Sequence, residues 1–144
     1  MVVDERYVEL LNTEIQKRLP APFFKLYSQN MWLHDWYLVS MLVANTGESL
    51  GHYSKKGGTT IQLRLTNTLT HILLSYIDVV DFQVSYNPRE PNNRFRYTGF
   101  GQCLCNKFEI DEDYISHHYE FEFDDNILIK CKSIKFRKIH EVIL

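Results

Sequence analysis

The sequence lacks an excess of charge of either sign. Its 16 Lys and Arg residues stand against 18 Asp and Glu residues, which leaves a formal net charge of −2. Proteins that hold DNA or RNA through the phosphates depend on a positive field to attract them. We therefore expect no nucleic-acid partner.

Long apolar runs are also missing. Every apolar stretch is interrupted by a polar residue well before the roughly 18 residues that a membrane-spanning helix requires. The opening MVVDERYVELL carries acidic residues, whereas a secretory signal begins with basic residues followed by a purely apolar zone. We expect a soluble, cytoplasmic protein with no membrane partner.

Cysteine is scarce and unusually spaced. Cys103 and Cys105 are separated by one residue, and Cys131 is the third. An odd number fits reduced thiols better than disulfides, and the spacing differs from the Cys-x-x-Cys pairs of zinc sites. We expect free thiols, no metal and no cofactor.

Two catalytic signatures are absent. The segment GHYSKKGGTT leads into a predicted strand rather than a helix, so it does not have the form of a phosphate-binding loop. No Gly-x-Ser-x-Gly motif supplies a nucleophile. The sequence therefore favours a protein that is not an enzyme.

Aromatic residues, in contrast, are abundant: nine Tyr, nine Phe and two Trp make up 14% of the 144 residues. They favour strands. Apolar residues three or four apart predict one helix over 5–19, beginning after Asp4 and stopped by Pro20 and Pro22. We expect a single domain over 1–144 of the α+β class, mainly β: an antiparallel sheet or sandwich of about six to seven strands with one N-terminal helix packed on a face.

Four segments predict the details of the sheet. The run 32–44 has apolar residues in both parities, which predicts a central strand covered on both faces. TTIQLRLT alternates and predicts a strand with one wet face. Residues 72–86 predict one long bent strand or two, interrupted at Asp78. A change of parity beyond Ser133 requires a bulge, a bend or a change of sheet.

The stretch FEFDDNILIKC predicts a hairpin. A three-residue loop over 124–126, with its last residue left-handed, places Phe123 opposite Ile127 and aligns the apolar side chains of the two strands. The same register places Glu120 beside Lys130.

His34 and Asp35 stand between Trp32 and Trp36. Within a strand their side chains would point to opposite faces and could not act together. We interpret the pair as the structural start of a strand, where Asp35 accepts local hydrogen bonds. The alternative is a small-ligand-binding protein or an enzyme with a pocket around His34 and Asp35.

The stretch EIDEDYISHHYEFEFDD holds eight acidic residues and no Lys or Arg. Pairing with the lysines that follow accounts for part of this charge, but Asp111, Glu112 and Asp113 have no such partner in the sequence pattern. We predict that these three residues, with Trp32 and Trp36, form a surface that docks a basic protein. A solvated turn is the alternative.

The segment TGFGQCLCNKFEIDEDYISHHYEFEFDDNILIKCKSIKFRKI resembles small uncharacterised bacterial β-rich proteins. The shared pattern is a Gly-aromatic-Gly step, an acidic turn, a His-containing strand, a tight hairpin and a last strand of the ILIKCKSIKF type. HDWYLVS is similar to the His-Asp step that opens their first strand. Some of these proteins are immunity proteins encoded beside bacterial toxins. The resemblance implies a non-enzymatic cytoplasmic protein-binding domain, with a toxin domain as partner.

Overall fold

The computed structural model of the chain describes residues 14–45, 58–87 and 100–139. These residues form eight strands in two four-stranded antiparallel sheets. The strands are β1 (Tyr37–Asn45), β2 (Thr59–Thr66), β3 (His71–Ile77), β4 (Asp81–Ser85), β5 (Cys103–Asp111), β6 (Tyr114–Phe121), β7 (Asn126–Cys131) and β8 (Ser133–Ile139). The first sheet has the order β1-β2-β3-β8, and the second has the order β4-β7-β6-β5. No helix in these ranges is long and apolar enough to cross a membrane.

Most of the helix predicted over 5–19 lies outside the described residues. Its described end is helical through α1 (Gln16–Arg18) and stops at Leu19. The side chains of Ile15 and Leu19 are 2% and 5% exposed and belong to the core. This burial agrees with the apolar stripe that the spacing predicts.

The prediction of a single helix is wrong, because a second one, α2 (Ala21–Gln29), follows directly. Pro20 precedes it and Pro22 lies in its first turn, where the missing N–H of proline costs no hydrogen bond. The fully buried ring of Phe23 packs 6.2 Å from that of Phe108 and 5.5 Å from that of Phe136. The helix therefore packs on strands of both sheets.

The pair β3 and β8 in the first sheet continues around a corner as the pair β4 and β7 in the second sheet, and we call these four strands the bent ribbon. The chain passes from β3 to β4 through residues 78–80, and from β7 to β8 through Lys132 alone. The Val80 N–H donates to the Lys130 carbonyl at 2.8 Å, and the Lys132 N–H donates to the Ile77 carbonyl at 3.0 Å. Of the predicted alternatives, the structure has two strands divided at residues 78–80 and a change of sheet just before Ser133. The corner also raises the strand number above the predicted one, because it divides two long runs.

The core lies between the sheets. The alternation predicted for β2 is confirmed, since Ile61, Leu63 and Leu65 are at most 1% exposed and Arg64 is exposed. From the second sheet, Tyr119 on β6 reaches the hydroxyl of Tyr76 on β3 at 2.7 Å. The core is therefore aromatic and contains polar atoms.

The prediction of a central strand over 32–44 is wrong. Among the described residues β1 is an edge strand, which pairs with β2 along its length and meets Gln102 through one isolated bridge at Tyr37. Val39, Leu42 and Val43 are 50%, 57% and 50% exposed. The register shifts between Leu38 and Ser40, so Val39 forms a bulge. A bulge mixes the two parities, and this mixing resembles the pattern of a strand covered on both faces.

The predicted hairpin register is wrong by four residues, so Ile127 does not pair with Phe123, and Lys130 pairs with Ser116 instead of lying beside Glu120. Tyr119 pairs with Ile127, and the connection contains a 3-10 turn over Glu122–Asp124. Phe123 and Asp124 carry the left-handed φ values, 65° and 59°, instead of residue 126. The side chains still lie on the predicted faces of the sheet, because a shift by an even number of residues preserves their alternation.

Candidate functional site

The turn between α2 and β1 has an unusual backbone. Met31, Trp32 and Leu33 have φ values of 50°, 56° and 62°, and Asp35 has 67°. Left-handed backbone costs an L-residue roughly 1–2 kcal/mol, and runs of it are rare outside glycine. Contacts elsewhere in the fold must therefore hold this segment, which we call the Met31–Asp35 turn.

Buried side chains and backbone bonds anchor the turn. Leu33 and Trp36 are 0% and 2% exposed and belong to the core. The Asp35 N–H donates to the Cys103 carbonyl, and the Cys103 N–H donates to the Trp36 carbonyl, both at 2.8 Å. The amide Nδ2 of Asn106 donates to the Trp32 carbonyl at 2.7 Å. Residues from β5 thus fix the turn on both sides of Leu33.

Asn106 belongs to a buried polar network. Because its Nδ2 donates to a carbonyl, its Oδ1 is the acceptor for the Tyr27 hydroxyl at 2.7 Å and for His117 Nε2–H at 2.8 Å. Neutral His117 then accepts at Nδ1 from the Tyr76 hydroxyl at 2.7 Å. The Tyr76 oxygen in turn accepts from the hydroxyl of Tyr119. The direction of every bond follows from the Asn106–Trp32 contact.

Burial keeps this network neutral. It lowers the pKa of His117 well below 6.5, with the neighbouring charge of His118 as the smaller cause. It also raises the pKa of the Tyr76 hydroxyl well above 10.0. The His117 ring stacks on Phe108 at 3.8 Å between centroids, so no water-filled space separates them. These groups stabilise one arrangement of the core and of the turn above it.

The structure places His34 and Asp35 before β1 rather than inside a strand. Their side chains are therefore not divided between two faces, and His34 Nδ1 lies 3.1 Å from Asp35 Oδ2. The His34 side chain is 22% exposed and that of Asp35 is 57% exposed. The sequence pair is thus an actual pair in space, at the surface of the turn.

The two predicted tryptophans have different environments. Trp32 is half-buried, with its ring edge-on to Tyr27 at 5.2 Å and to Phe24 at 6.5 Å. Trp36 is 2% exposed, so its ring serves the core and offers little area to a partner. The exposed apolar residues on the adjoining backbone are instead Met31, 69% exposed, and Leu104, 42% exposed, which directly follows the Cys103 that bonds to Asp35.

The three predicted acidic residues lie at the other end of β5. Asp111, Glu112 and Asp113 are exposed around the β5–β6 turn. Lys130 Nζ lies 3.4 Å from Asp111 Oδ2, so this carboxylate has the lysine partner that the sequence pattern did not reveal. From Asn106 to Asp111 the strand spans about 17 Å. The structure therefore separates the acidic turn from the tryptophans.

The cysteines are free thiols on different faces. A bulge between Cys103 and Cys105 buries the first and turns the second outward, where its Sγ donates to Glu120 Oε2 at 3.0 Å. Burial raises the pKa of Cys103 and of Cys131 to about 12, and raises that of Cys105 to about 11 with the help of Glu120. No group of three or more His, Cys, Asp or Glu side chains suited to a metal occurs in the part of the chain that the structure describes.

The sequence pattern singled out His34 and Asp35, but it did not identify the residue that holds the Met31–Asp35 turn in place. The signal was one polar residue, Asn106, between the buried positions Cys103 and Phe108 of a strand. Its partners Trp32 and Tyr27 lie 74 and 79 positions away, so only the fold brings them together. A buried amide in an apolar strand indicates a partner of this kind.

The geometry leaves a surface of five residues around the turn, which we call the turn surface: Met31, Trp32, His34, Asp35 and Leu104. It combines exposed apolar side chains with one acidic group on strained, well-anchored backbone. A scan against protein-family models and searches of curated proteins and of solved structures found no match to this chain.

Proposed function

We propose that this chain is a non-enzymatic, cytoplasmic protein-binding domain that recognises its partner through the turn surface. The observation that carries the proposal is the left-handed backbone of Met31, Trp32 and Leu33. Met31, the first of these residues, has an apolar side chain that is 69% exposed. An immunity protein that neutralises a toxin domain is the form of this function that the sequence resemblance suggests.

The strained backbone supports a binding role, because core packing compensates for only part of its conformational cost. Burial of Leu33 repays some of the conformational cost, since its side chain is 0% exposed. Met31 adds a conformational cost of its own, and its exposed side chain gains little from burial. Non-glycine residues in left-handed backbone occur preferentially at binding and catalytic sites, where surrounding structure holds them in place. An exposed Met is also a side chain that adapts to a partner surface.

The His34–Asp35 pair favours a second candidate, a small-ligand-binding protein or an enzyme. A carboxylate on Nδ1 orients an imidazole as in a general base. The nearest cysteine in the fold, Cys103, bonds through its backbone to Asp35, and its pKa of about 12 keeps it a thiol near neutral pH. We therefore prefer the binding role.

A direct test uses the purified product of the gene next to the one that encodes this chain, with calorimetry as the measurement. We expect a complex whose Kd rises at least about tenfold in Met31→Asp, because a carboxylate would enter an apolar contact. Val80→Asp is the matched control, since Val80 is 53% exposed just before β4, which is the strand at the opposite edge of the second sheet from β5. Absence of a complex, or equal loss in both variants, contradicts the proposal.

The acidic turn is tested separately, as the surface that the sequence pattern predicts. Reversing the charges of Asp111, Glu112 and Asp113 together should slow association with a basic partner without unfolding the domain. Stopped-flow association rates at two salt concentrations measure this effect. Unchanged rates would leave the acidic turn as a solvated hairpin and the turn surface as the contact.

Asp35→Ala distinguishes the two candidates. A lost local hydrogen bond costs about 1–2 kcal/mol, so we expect a lower Tm. The partner affinity of the folded variant should fall far less than in Met31→Asp, because Met31, Trp32 and Leu104 supply the apolar contact and Asp35 contributes only one exposed charge. If the Tm is unchanged while a ligand affinity or an activity disappears, the pocket function is correct instead.

A further inference from the structure

His117 lies among neutral groups in the core. It is 0% exposed, and its two ring nitrogens are hydrogen-bonded to the Asn106 amide and to the Tyr76 hydroxyl. Its ring packs on those of Phe108 and Tyr119, at 3.8 Å and 4.0 Å between centroids. None of these four side chains carries a negative charge. A proton taken up by His117 would therefore be a buried charge without a counter-charge in contact with it.

The titratable groups nearby do not compensate this charge. Around His117 and Tyr76 they are Tyr27 on α2, Cys103 on β5, Tyr119 and His118 on β6, and Cys131 on β7. Phenols and thiols are neutral at neutral and mildly acidic pH, and burial raises the pKa of Tyr76 well above 10.0. The charge of His118 lowers the pKa of His117 further. The surroundings thus favour the neutral imidazole.

Proton uptake also conflicts with the directions of the hydrogen bonds. Neutral His117 donates from Nε2–H to Asn106 and accepts at Nδ1 from the Tyr76 hydroxyl, so the added proton goes to Nδ1. Nδ1 and the Tyr76 hydroxyl are then two donors facing each other at 2.7 Å. If Tyr76 turns its hydrogen toward Tyr119, one of the two hydroxyl groups loses the acceptor that it has in the network. The closed core therefore does not accommodate the proton.

The Met31–Asp35 turn is the nearest segment that opens at low cost. One residue, Asn106, connects His117 with the carbonyl of the half-buried Trp32. An approach along the second sheet would instead break strand pairs, because β6 lies between β5 and β7. The turn also contains three consecutive left-handed residues, whose conformational cost is recovered when the turn opens. Opening here brings water to the network with the least loss of structure.

We propose that the Met31–Asp35 turn is an acid-sensitive switch, which opens to water when His117 takes up a proton while the two sheets stay folded. The Asn106–Trp32 hydrogen bond breaks in the open form. At neutral pH the turn stays closed until the domain as a whole unfolds. Acid also releases a partner from the turn surface, a consequence that, unlike the opening itself, rests on the proposed function.

An NMR titration of the purified full chain without denaturant, from about pH 8 to about pH 4.5, tests the switch. We expect the ring signals of His117 and the indole signal of Trp32 to change with one midpoint, below pH 6.5. Acrylamide quenching of tryptophan fluorescence should rise severalfold over the same range, whereas the far-UV circular dichroism should not change. No partner is present, so failure of this test and failure of the proposed binding function are distinguishable.

Three variants assign the response to its residue. His117→Gln takes up no proton, and its amide offers one donor and one acceptor in place of the two ring nitrogens, so the response should disappear. His118→Gln is the matched control at the adjacent position, where the side chain bonds outside the network, and should keep the response. His34→Gln should also keep it, although His34 lies in the turn beside Asp35.

Four outcomes overturn the proposal: no change of the Trp32 signal down to about pH 4.5, loss of the β-sheet spectrum together with that change, a response that persists in His117→Gln, or one that disappears in His34→Gln. If His117→Gln does not fold, the titration of the wild-type protein decides, because separate midpoints for His117 and Trp32 also overturn the proposal.

Discussion

At the scale of single residues, Asn106 joins the core to the surface. Its amide contacts Tyr27, Trp32 and His117, which lie on α2, in the turn and on β6. Asn106→Leu would leave a hydroxyl, an imidazole N–H and a carbonyl buried without these partners. Each such group costs roughly 1–3 kcal/mol, so we expect a loss of about 3 kcal/mol or more in the free energy of unfolding.

Chemical denaturation measures this loss. Glu109→Ala is the control on the same strand, because an exposed side chain should change the free energy by no more than about 0.5 kcal/mol. Equal stability of Asn106→Leu and the control would show that the network contributes nothing to the fold.

Met31 tests the strain itself. With a φ of 50° and a side chain 69% exposed, it gains little from burial and has an unfavourable backbone. Glycine adopts this conformation without penalty, so Met31→Gly should be more stable than Met31→Ala by about 1 kcal/mol. Thermal unfolding of the two variants checks the order, and a more stable alanine variant would contradict the left-handed assignment.

His117 predicts an acid dependence of stability. Burial holds its pKa well below 6.5 in the folded protein, while the unfolded chain takes up a proton near that pH. The unfolded state therefore binds more protons below pH 6.5, and stability is complete above that pH and declines as the pH falls. The slope from one such group approaches about 1.4 kcal/mol per pH unit.

Denaturant titrations between about pH 7.5 and pH 5 measure this slope. In His117→Gln the part of the slope between pH 6.5 and the lowered pKa should disappear, whatever the absolute stability of the variant. An unchanged slope would assign the acid sensitivity to other groups.

At the scale of elements, α2 shows how proline position decides its effect. Pro22 lies in the first turn, where its ring restricts the unfolded chain at no cost in hydrogen bonds. Pro22→Ala should therefore destabilise the protein by about 0.4–1 kcal/mol. Lys25→Pro, in the middle of the helix, should cost about 3 kcal/mol or more. Tm values of the two variants test this contrast, and a stabilised Pro22→Ala variant would contradict it.

Elements were predictable where one physical pattern dominated. β2 was, because one buried and one wet face give strict alternation. β1 was not, because the bulge at Val39 mixes its faces, and the β6–β7 register was not, because an even shift leaves every apolar residue on the same side. The site divides similarly: the sequence reveals the His34–Asp35 step, whereas the contacts of Asn106 span 74 and 79 positions and exist only in the fold.

At the scale of the whole molecule, the bent ribbon makes the sheets interdependent. β3 and β4 pair with β8 and β7, and each of these pairs belongs to a different sheet. Neither sheet can lose its ribbon strands without disturbing the other, so we expect one cooperative unfolding transition. Tryptophan fluorescence, which reports on the Met31–Asp35 turn, and amide exchange in β2 and β6 should give the same midpoint. Separate midpoints would show that the sheets unfold independently.

The corner at Lys132 also fixes the alternation of β8, that is, which of its side chains face the core and which face water. A single residue connects β7 to β8, so the chain has no slack there to absorb a change in length. One inserted residue would turn the buried Ile134 and the half-buried Phe136 to water and direct Lys135 and Arg137 into the core. Two inserted residues would restore the phase. Insertions at this corner are therefore tolerable only as pairs of residues. A loop with slack in its length would accept an insertion of one residue or of two.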